Sequence, residues 1–127
     1  MPEVVLDASA LLAFLRQEPG ADRVASVLSA ACISAVNLTE TYSKMVEYGK
    51  PLDGVVHQIE RLCLPVIGYD AEQARIAASL WKPTHPVRLS LGDRACMALA
   101  LQYSVPAYTT DSEWEKCDVG VKVVRIR

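Results

Sequence analysis

The sequence predicts an α/β sandwich built on a mostly parallel sheet, and three observations predict it. Short apolar runs of strand length alternate with longer segments of helical periodicity. Most of these runs end at a polar residue able to open a helix. No internal repeat, linker or composition shift divides the 127 residues, so residues 1–127 are read as one domain around one core. A helix between successive strands returns the chain to the same edge of the sheet, which makes the strands parallel.

Val4–Leu6 is a continuous apolar run stopped by Asp7, and Ala8–Leu15 is apolar all round except at Ser9, so a buried strand feeds a buried helix. Pro19-Gly20 breaks that helix, and Ala21 to Ala31 reads as a second, amphipathic one. Cys32–Val36 has strand composition; Asn37 then reads as a helix cap, with Leu38, Tyr42, Met45 and Val46 at helical spacing up to Gly49. Pro51 suits a helical first turn, and Val55, Val56 and Ile59 form a stripe that carries a helix to about Cys63. Leu64–Tyr69 is a strand candidate weakened by Pro65. Asp70 with Gln73 forms a capping box for a helix to about Trp81, and Lys82–Pro86 reads as the one irregular loop. Ser90 opens a nearly all-apolar helix to about Tyr103. Strands at Val105–Thr109 and Val121–Ile126 close the chain, with a helical turn near Trp114 between them.

Half the residues are hydrophobic (51%) and 22% are charged, with six glycines and seven prolines, which excludes disordered, collagen-like and low-complexity chains. Thirteen Lys and Arg against fifteen Asp and Glu give a net charge of −2, so a general cationic sleeve for nucleic acid is excluded and any phosphate contact is local or metal-assisted. No apolar run approaches the roughly 20 residues of a membrane span, and Met1-Pro2-Glu3 lacks the pattern of a signal peptide; no membrane association and a cytoplasmic location are expected. Cys32, Cys63, Cys96 and Cys117 show no C-x-x-C pair and read as reduced, mostly buried thiols, against an extracellular two-disulfide alternative. His57 and His85 stand apart from every motif and receive no role.

In a doubly wound sheet, function sits outside the carboxyl ends of the strands. Four acids fall there: Asp7 after the first strand, Glu40 shortly after the second, Asp93 at the start of the most apolar helix and Asp111 after the strand ending at Thr109. Two carboxylates about 4 Å apart repel by roughly 4 kcal/mol at an effective dielectric near 20, which either raises pKa values or spreads the site. A divalent cation resolves the conflict, and oxygen ligands without His or Cys point to Mg²⁺ or Mn²⁺ rather than zinc. Each acid also has a bland reading. Glu40 follows Asn37 by three residues and precedes Lys44 by four, giving a cap and an ion pair; Ser90 and Asp93 form an S-x-x-D cap; Asp7 and Asp111 could cap turns. Ser9, Asn37, Thr110 and Ser112 stand by as supporting polar groups, with capping as their alternative. Arg16, Lys82, Arg88 and Arg94 flank the acids as candidate phosphate contacts, with surface solubility as theirs.

These motifs resemble those of PIN-domain nucleases, specifically the VapC-type toxins of toxin–antitoxin pairs. Val5–Ala13 resembles the first motif, with Asp7 at the metal position and Ser9 as its companion hydroxyl. Ser34–Glu40 resembles the segment supplying the second acid, Leu89–Ala95 the third and Tyr108–Trp114 the fourth. Gly92 departs from the larger residue frequent before the third acid and leaves the metal position intact. The resemblance implies a Rossmann-like α/β/α sandwich with a mostly parallel central sheet. It implies a Mg²⁺- or Mn²⁺-dependent endoribonuclease that leaves 5′-phosphate and 3′-hydroxyl ends, a homodimer, and a cognate antitoxin whose tail covers the acidic cleft. On that reading the Tyr42, Met45 and Val46 stripe and the Val55, Val56 and Ile59 stripe offer dimer or antitoxin surface, with core packing as the alternative. A housekeeping RNA-processing nuclease of the same type and a non-catalytic module that holds an Arg-bearing partner stay open. A phosphoaspartate enzyme fits less well, because Asp7-Ala8-Ser9 lacks the D-x-D repeat such sites use.

Overall fold

Five strands make one sheet in the computed structural model, which describes residues 1–127. They are β1 (Val4–Leu6), β2 (Ala31–Ser34), β3 (Val66–Ile67), β4 (Ala107–Thr109) and β5 (Val123–Arg125). Their order across the sheet is β3-β2-β1-β4-β5, and every adjacent pair is parallel. The chain winds outward from β1 to β3, then re-enters on the other side of β1 as β4. That reversal at β1 opens a crevice at the carboxyl ends of the strands.

Helices cover both faces, as predicted: α1 (Ala8–Leu15), α2 (Ala21–Val27), α3 (Ala35–Glu47), α4 (Leu52–Glu60), α5 (Ala71–Ser79), α6 (Trp81–Thr84) and α7 (Leu91–Tyr103). The two-residue period of β1 divides the core. Val4 and Leu6 pack with Leu11, Val24, Ile33, Met45, Val55 and Ile59 under the first four helices. Val5 points the other way, to Cys32, Cys96, Met97, Leu99, Ala107 and Trp114 beneath α7. Burying each such Leu, Ile or Val contributes roughly 1.5–3 kcal/mol relative to exposure, and β1 and β2, buried at every position, are held from both sides. No helix is long and apolar enough to cross a membrane.

Several boundaries move for identifiable reasons. β2 ends at Ser34, whose hydroxyl accepts the Val36 N–H (3.2 Å), so Ser34 is the cap of α3 and Asn37 lies inside the helix. The second helix stops at Val27 and continues as a 3₁₀ turn, Leu28–Ala30. Pro51 stands just outside α4, which ends at Glu60. The third strand shrinks to Val66–Ile67 after Pro65. Asp70 caps α5 through the Gln73 N–H (2.9 Å), but the Gln73 side chain is buried, so the cap is one-sided and not a box. The expected loop at Lys82–Pro86 is helical, α6 followed by a 3₁₀ turn, His85–Val87. Pro83 and Pro86 both fall in first turns, where a missing N–H costs nothing. Met45, Val55 and Ile59 belong to the core, with Tyr42 packed against it, while Val46 is 45% exposed. The thiols are free; Cys32 and Cys96 are buried, Cys117 is half-buried, and Cys63 is exposed.

Candidate active site

Asp7, Ser9, Asn37, Glu40, Asp93, Thr110 and Asp111 line one open cavity of about 450 Å³ at the crevice, together with Ala8, Leu12 and Lys44. Its acids come from four separate stretches: the ends of β1 and β4, the second turn of α3 and the first turn of α7.

Asp7 is the most constrained of them, only 5% exposed. As the cap of α1, its Oδ1 accepts the Ala10 N–H (2.8 Å) and the Ser9 hydroxyl (2.7 Å), while its Oδ2 accepts the Thr109 hydroxyl (2.5 Å). Register explains the last bond: Leu6 pairs with Tyr108, so the next residues, Asp7 and Thr109, come level. Thr109 in turn accepts the Asp111 N–H (3.1 Å), and Ser9 accepts the Thr110 N–H (3.0 Å), which ties the ends of β1 and β4 into one network. Burial drives the Asp7 carboxyl up to about 6; the hydrogen bonds from Thr109, Ser9 and Ala10 oppose that rise and the charge of Asp93 adds to it.

Asp93 closes the capping box of α7: the Ser90 N–H donates to its Oδ2 (2.8 Å) and its own N–H donates to the Ser90 hydroxyl (3.1 Å). Burial raises its pKa, against the Ser90 bonds. The charge of Asp111 adds to that rise, and the nearby Trp114 indole N–H favours the charged form. Neither bland reading of Glu40 holds: Asn37 is not a cap, and Lys44 pairs with Glu47 (3.0 Å). Instead Asn37 Nδ2 donates to Glu40 Oε1 (2.8 Å) and to the Gly92 carbonyl (3.0 Å), joining α3 to α7. Burial raises the Glu40 pKa too, with Asn37 opposing. A Cβ at Gly92 would fall on the Glu40 carboxylate, so the bare backbone there gives that side chain its place. Asp111 caps the 3₁₀ turn Ser112–Lys116 through the Glu113 N–H (2.9 Å), and Trp114, fully buried, anchors that turn.

No lysine or arginine forms an ion pair with Asp7, Glu40, Asp93 or Asp111. Desolvation, more than mutual repulsion, dominates the shifts of Asp7, Glu40 and Asp93. The acids are spread around the cavity, and no three Asp, Glu, His or Cys side chains close into a ready ligand group. The donor set nonetheless suits Mg²⁺ or Mn²⁺ in kind: it is all oxygen, no cation is ion-paired with it, and Asn37 Oδ1 is buried without a partner. Such ions bind through one or two carboxylates and keep several waters, so a closed protein cage is not required.

Ser112 is absent from the cavity wall, as are the four flanking cations. Arg16 pairs with Glu18 (3.5 Å) and lies over the Tyr48 ring; Arg94 donates to the Ala77 carbonyl (3.2 Å); Lys82 and Arg88 are exposed. Lys44, which the sequence offered only as a partner for Glu40, is the cation on the wall. Thr109 figured in the sequence only as a strand end and motif residue, though a hydroxyl ending a strand beside Asp7 was the available signal.

A fully parallel, doubly covered sheet with an acidic cavity at its reversal point defines the class of doubly wound α/β proteins whose sites lie at the strand ends. The PIN domain model matches residues 4–120, and the chain belongs to that family. It is 28% identical over 128 residues to Ribonuclease VapC42 of Mycobacterium tuberculosis, covering 91% of this chain and 96% of that protein. The fold is shared with DNA-bound VapBC from Salmonella typhimurium (TM-score 0.72, 20% identity, 100% of both chains). It is shared too with the sarcin-ricin-loop-cleaving toxin VapC20 of M. tuberculosis (TM-score 0.74, 20% identity, 94% and 98% of the two chains).

Proposed function

We propose that this protein is a Mg²⁺- or Mn²⁺-dependent endoribonuclease and the toxin half of a toxin–antitoxin pair. The observation that carries the proposal is the single cavity in which Asp7, Glu40, Asp93 and Asp111 meet without an ion-paired cation. Membership of the PIN family and likeness to the ribonuclease VapC42 and the sarcin-ricin-loop-cleaving VapC20 support it. The bound cation would supply positive charge that lowers the pKa of an attacking water and offsets charge on the phosphate.

The chain's own part is to hold the acids in position. Thr109, Ser9 and the Ala10 N–H fix both oxygens of Asp7, so its ionised form is pre-oriented. Ser90 fixes Asp93, and Asn37 fixes Glu40. Ser9 and Thr110 are the supporting hydroxyls at the cavity mouth. Hydrolysis adds water to phosphorus, breaks the P–O3′ bond and passes a proton to the leaving 3′ oxygen, giving 5′-phosphate and 3′-hydroxyl ends. The acidic wall also suits a basic side chain from an antitoxin tail, and an antitoxin accompanies the toxin in the structurally similar complex from Klebsiella pneumoniae.

Incubation of the protein with RNA and Mg²⁺ or Mn²⁺, followed by sequencing of the new ends, tests this reading. Metal-dependent cuts with 5′-phosphates that disappear in Asp7→Asn and Asp93→Asn are expected. Cyclic 2′,3′-phosphates would mean attack by the neighbouring 2′-hydroxyl, and no cleavage with intact partner binding would mean a binding module. Sedimentation of the purified chain tests the proposed homodimer.

A further inference from the structure

A second cavity, of about 500 Å³, is lined by Leu15, Arg16, Met45, Tyr48, Lys50 and Gln58. It continues the acidic one along the same two helices. Leu12 and Lys44 line the first; Leu15 and Arg16, next along α1, and Met45, next along α3, line the second. The chemistry reverses across that step. The Arg16 guanidinium lies 3.6 Å from the centre of the Tyr48 ring, Lys44 Nζ lies 5.7 Å from it, and the ring is 45% exposed. Lys50 takes part in no ion pair.

The end of α3 holds this group in place. Gly49, at φ +91, follows the cap residue Tyr48; its N–H donates to the Val46 carbonyl (2.9 Å) and the Lys50 N–H donates to the Met45 carbonyl (3.1 Å). That paired arrangement is a Schellman motif, which turns Lys50 back beside Met45 and fixes the backbone of Tyr48. Of the acids nearby, Glu18 is shared between Arg16 and Arg127 (3.5 Å each) and Glu47 pairs with Lys44 in the open; surface pairs of this kind are weak, so a phosphate can compete for the cations.

We infer that Tyr48, Arg16, Lys44 and Lys50 form a subsite for one unpaired nucleotide of the RNA strand whose neighbouring phosphate enters the acidic cavity. A nucleobase extends the stack of ring and guanidinium, and the lysines hold the flanking phosphates, the combination used by grooves for single strands. The subsite rests on the nuclease reading and adds which residues of this chain hold the nucleotide next to the cut.

The test uses the full chain with EDTA and a 2′-O-methyl oligoribonucleotide carrying 2-aminopurine at successive positions, read by anisotropy and by fluorescence. Quenching at one position is expected in the wild type and in Tyr48→Phe. In Tyr48→Ala it is lost, with affinity about tenfold weaker. Lys50→Ala should lower the slope of log affinity against log salt by about one contact's worth, and the same oligonucleotide in a duplex should show no quenching. Unchanged binding and quenching in a folded Tyr48→Ala, while the wild type cleaves RNA with Mg²⁺, would overturn the subsite and leave the nuclease reading standing. A wild type that cleaves no RNA would remove that reading and the subsite with it. Tyr48→Ala weakening a co-purified protein partner but not the oligonucleotide would reassign the groove to protein docking.

Discussion

The two cavities along α1 and α3 solve opposite electrostatic problems. Around Asp7, charge of one sign is held by neutral donors: hydroxyls of Thr109 and Ser9, the Asn37 amide beside Glu40, backbone N–H groups at helix starts. Around Tyr48, charges of both signs pair with each other in the open, Arg16 with Glu18 and Lys44 with Glu47. Hydrogen bonds orient a carboxylate without neutralising it, so the first cavity keeps its demand for a cation. The second meets its own demand weakly and can release it. A site that needs a ligand and a surface that tolerates one therefore look different even where they adjoin.

Replacing Asp7 breaks the contrast most severely. Asp7→Asn is expected to lower RNA cleavage by about 100-fold or more. Its folded pKa of about 6 lies above the unfolded value, so the native state binds more protons between about pH 4 and 6, and stability falls as pH rises through that window. Above it, the ionised side chain costs about 3 kcal/mol in the metal-free protein, the raise converted at 1.36 kcal/mol per unit. Asp7→Asn is therefore expected to be more stable than wild type in urea melts at pH 8 without metal, with the difference gone at pH 4. A variant less stable at pH 8 would show that its hydrogen bonds outweigh its desolvation.

Thr109→Val removes one neutral donor and leaves the charge. Cleavage should fall roughly 10- to 100-fold, and the acid limb of the pH–rate profile should move upward because a bond favouring the ionised form is gone. An unmoved limb would mean that Asp7 does not set it. Gly92→Ala sharpens the contrast differently, since its Cβ displaces the Glu40 carboxylate while improving helix propensity by up to about 1 kcal/mol. About tenfold slower cleavage at equal or higher melting temperature is expected, on the scale of other supporting groups. The smallest effect belongs to the groove: Glu18→Gln should change stability by under about 1 kcal/mol, measured by chemical denaturation.

The fold was legible because β1 and β2 are buried on both faces and read as unbroken apolar runs, and because Ser90–Asp93 forms a true capping box. The ends were less legible. Ser34 and Asn37 are both good caps, and only the register of β2 decides between them. Pro83 and Pro86 look like loop residues in sequence, yet first turns accept them. The acids were found by their place after strands. Their neighbours were not: Thr109 matters through its register with Asp7, Gly92 through the helix it packs against, and Lys44 through the side of α3 it occupies. Those are facts of three dimensions that spacing along one chain does not carry.

The bond between Asp7 and Thr109 spans 102 positions of sequence. A ribosome emits the first acid 102 residues before its hydroxyl partner, so a growing polypeptide lacks the finished cleft over that whole interval. On the proposed nuclease reading, that separation is itself a safeguard: no cutting cleft exists until both of its halves have been made.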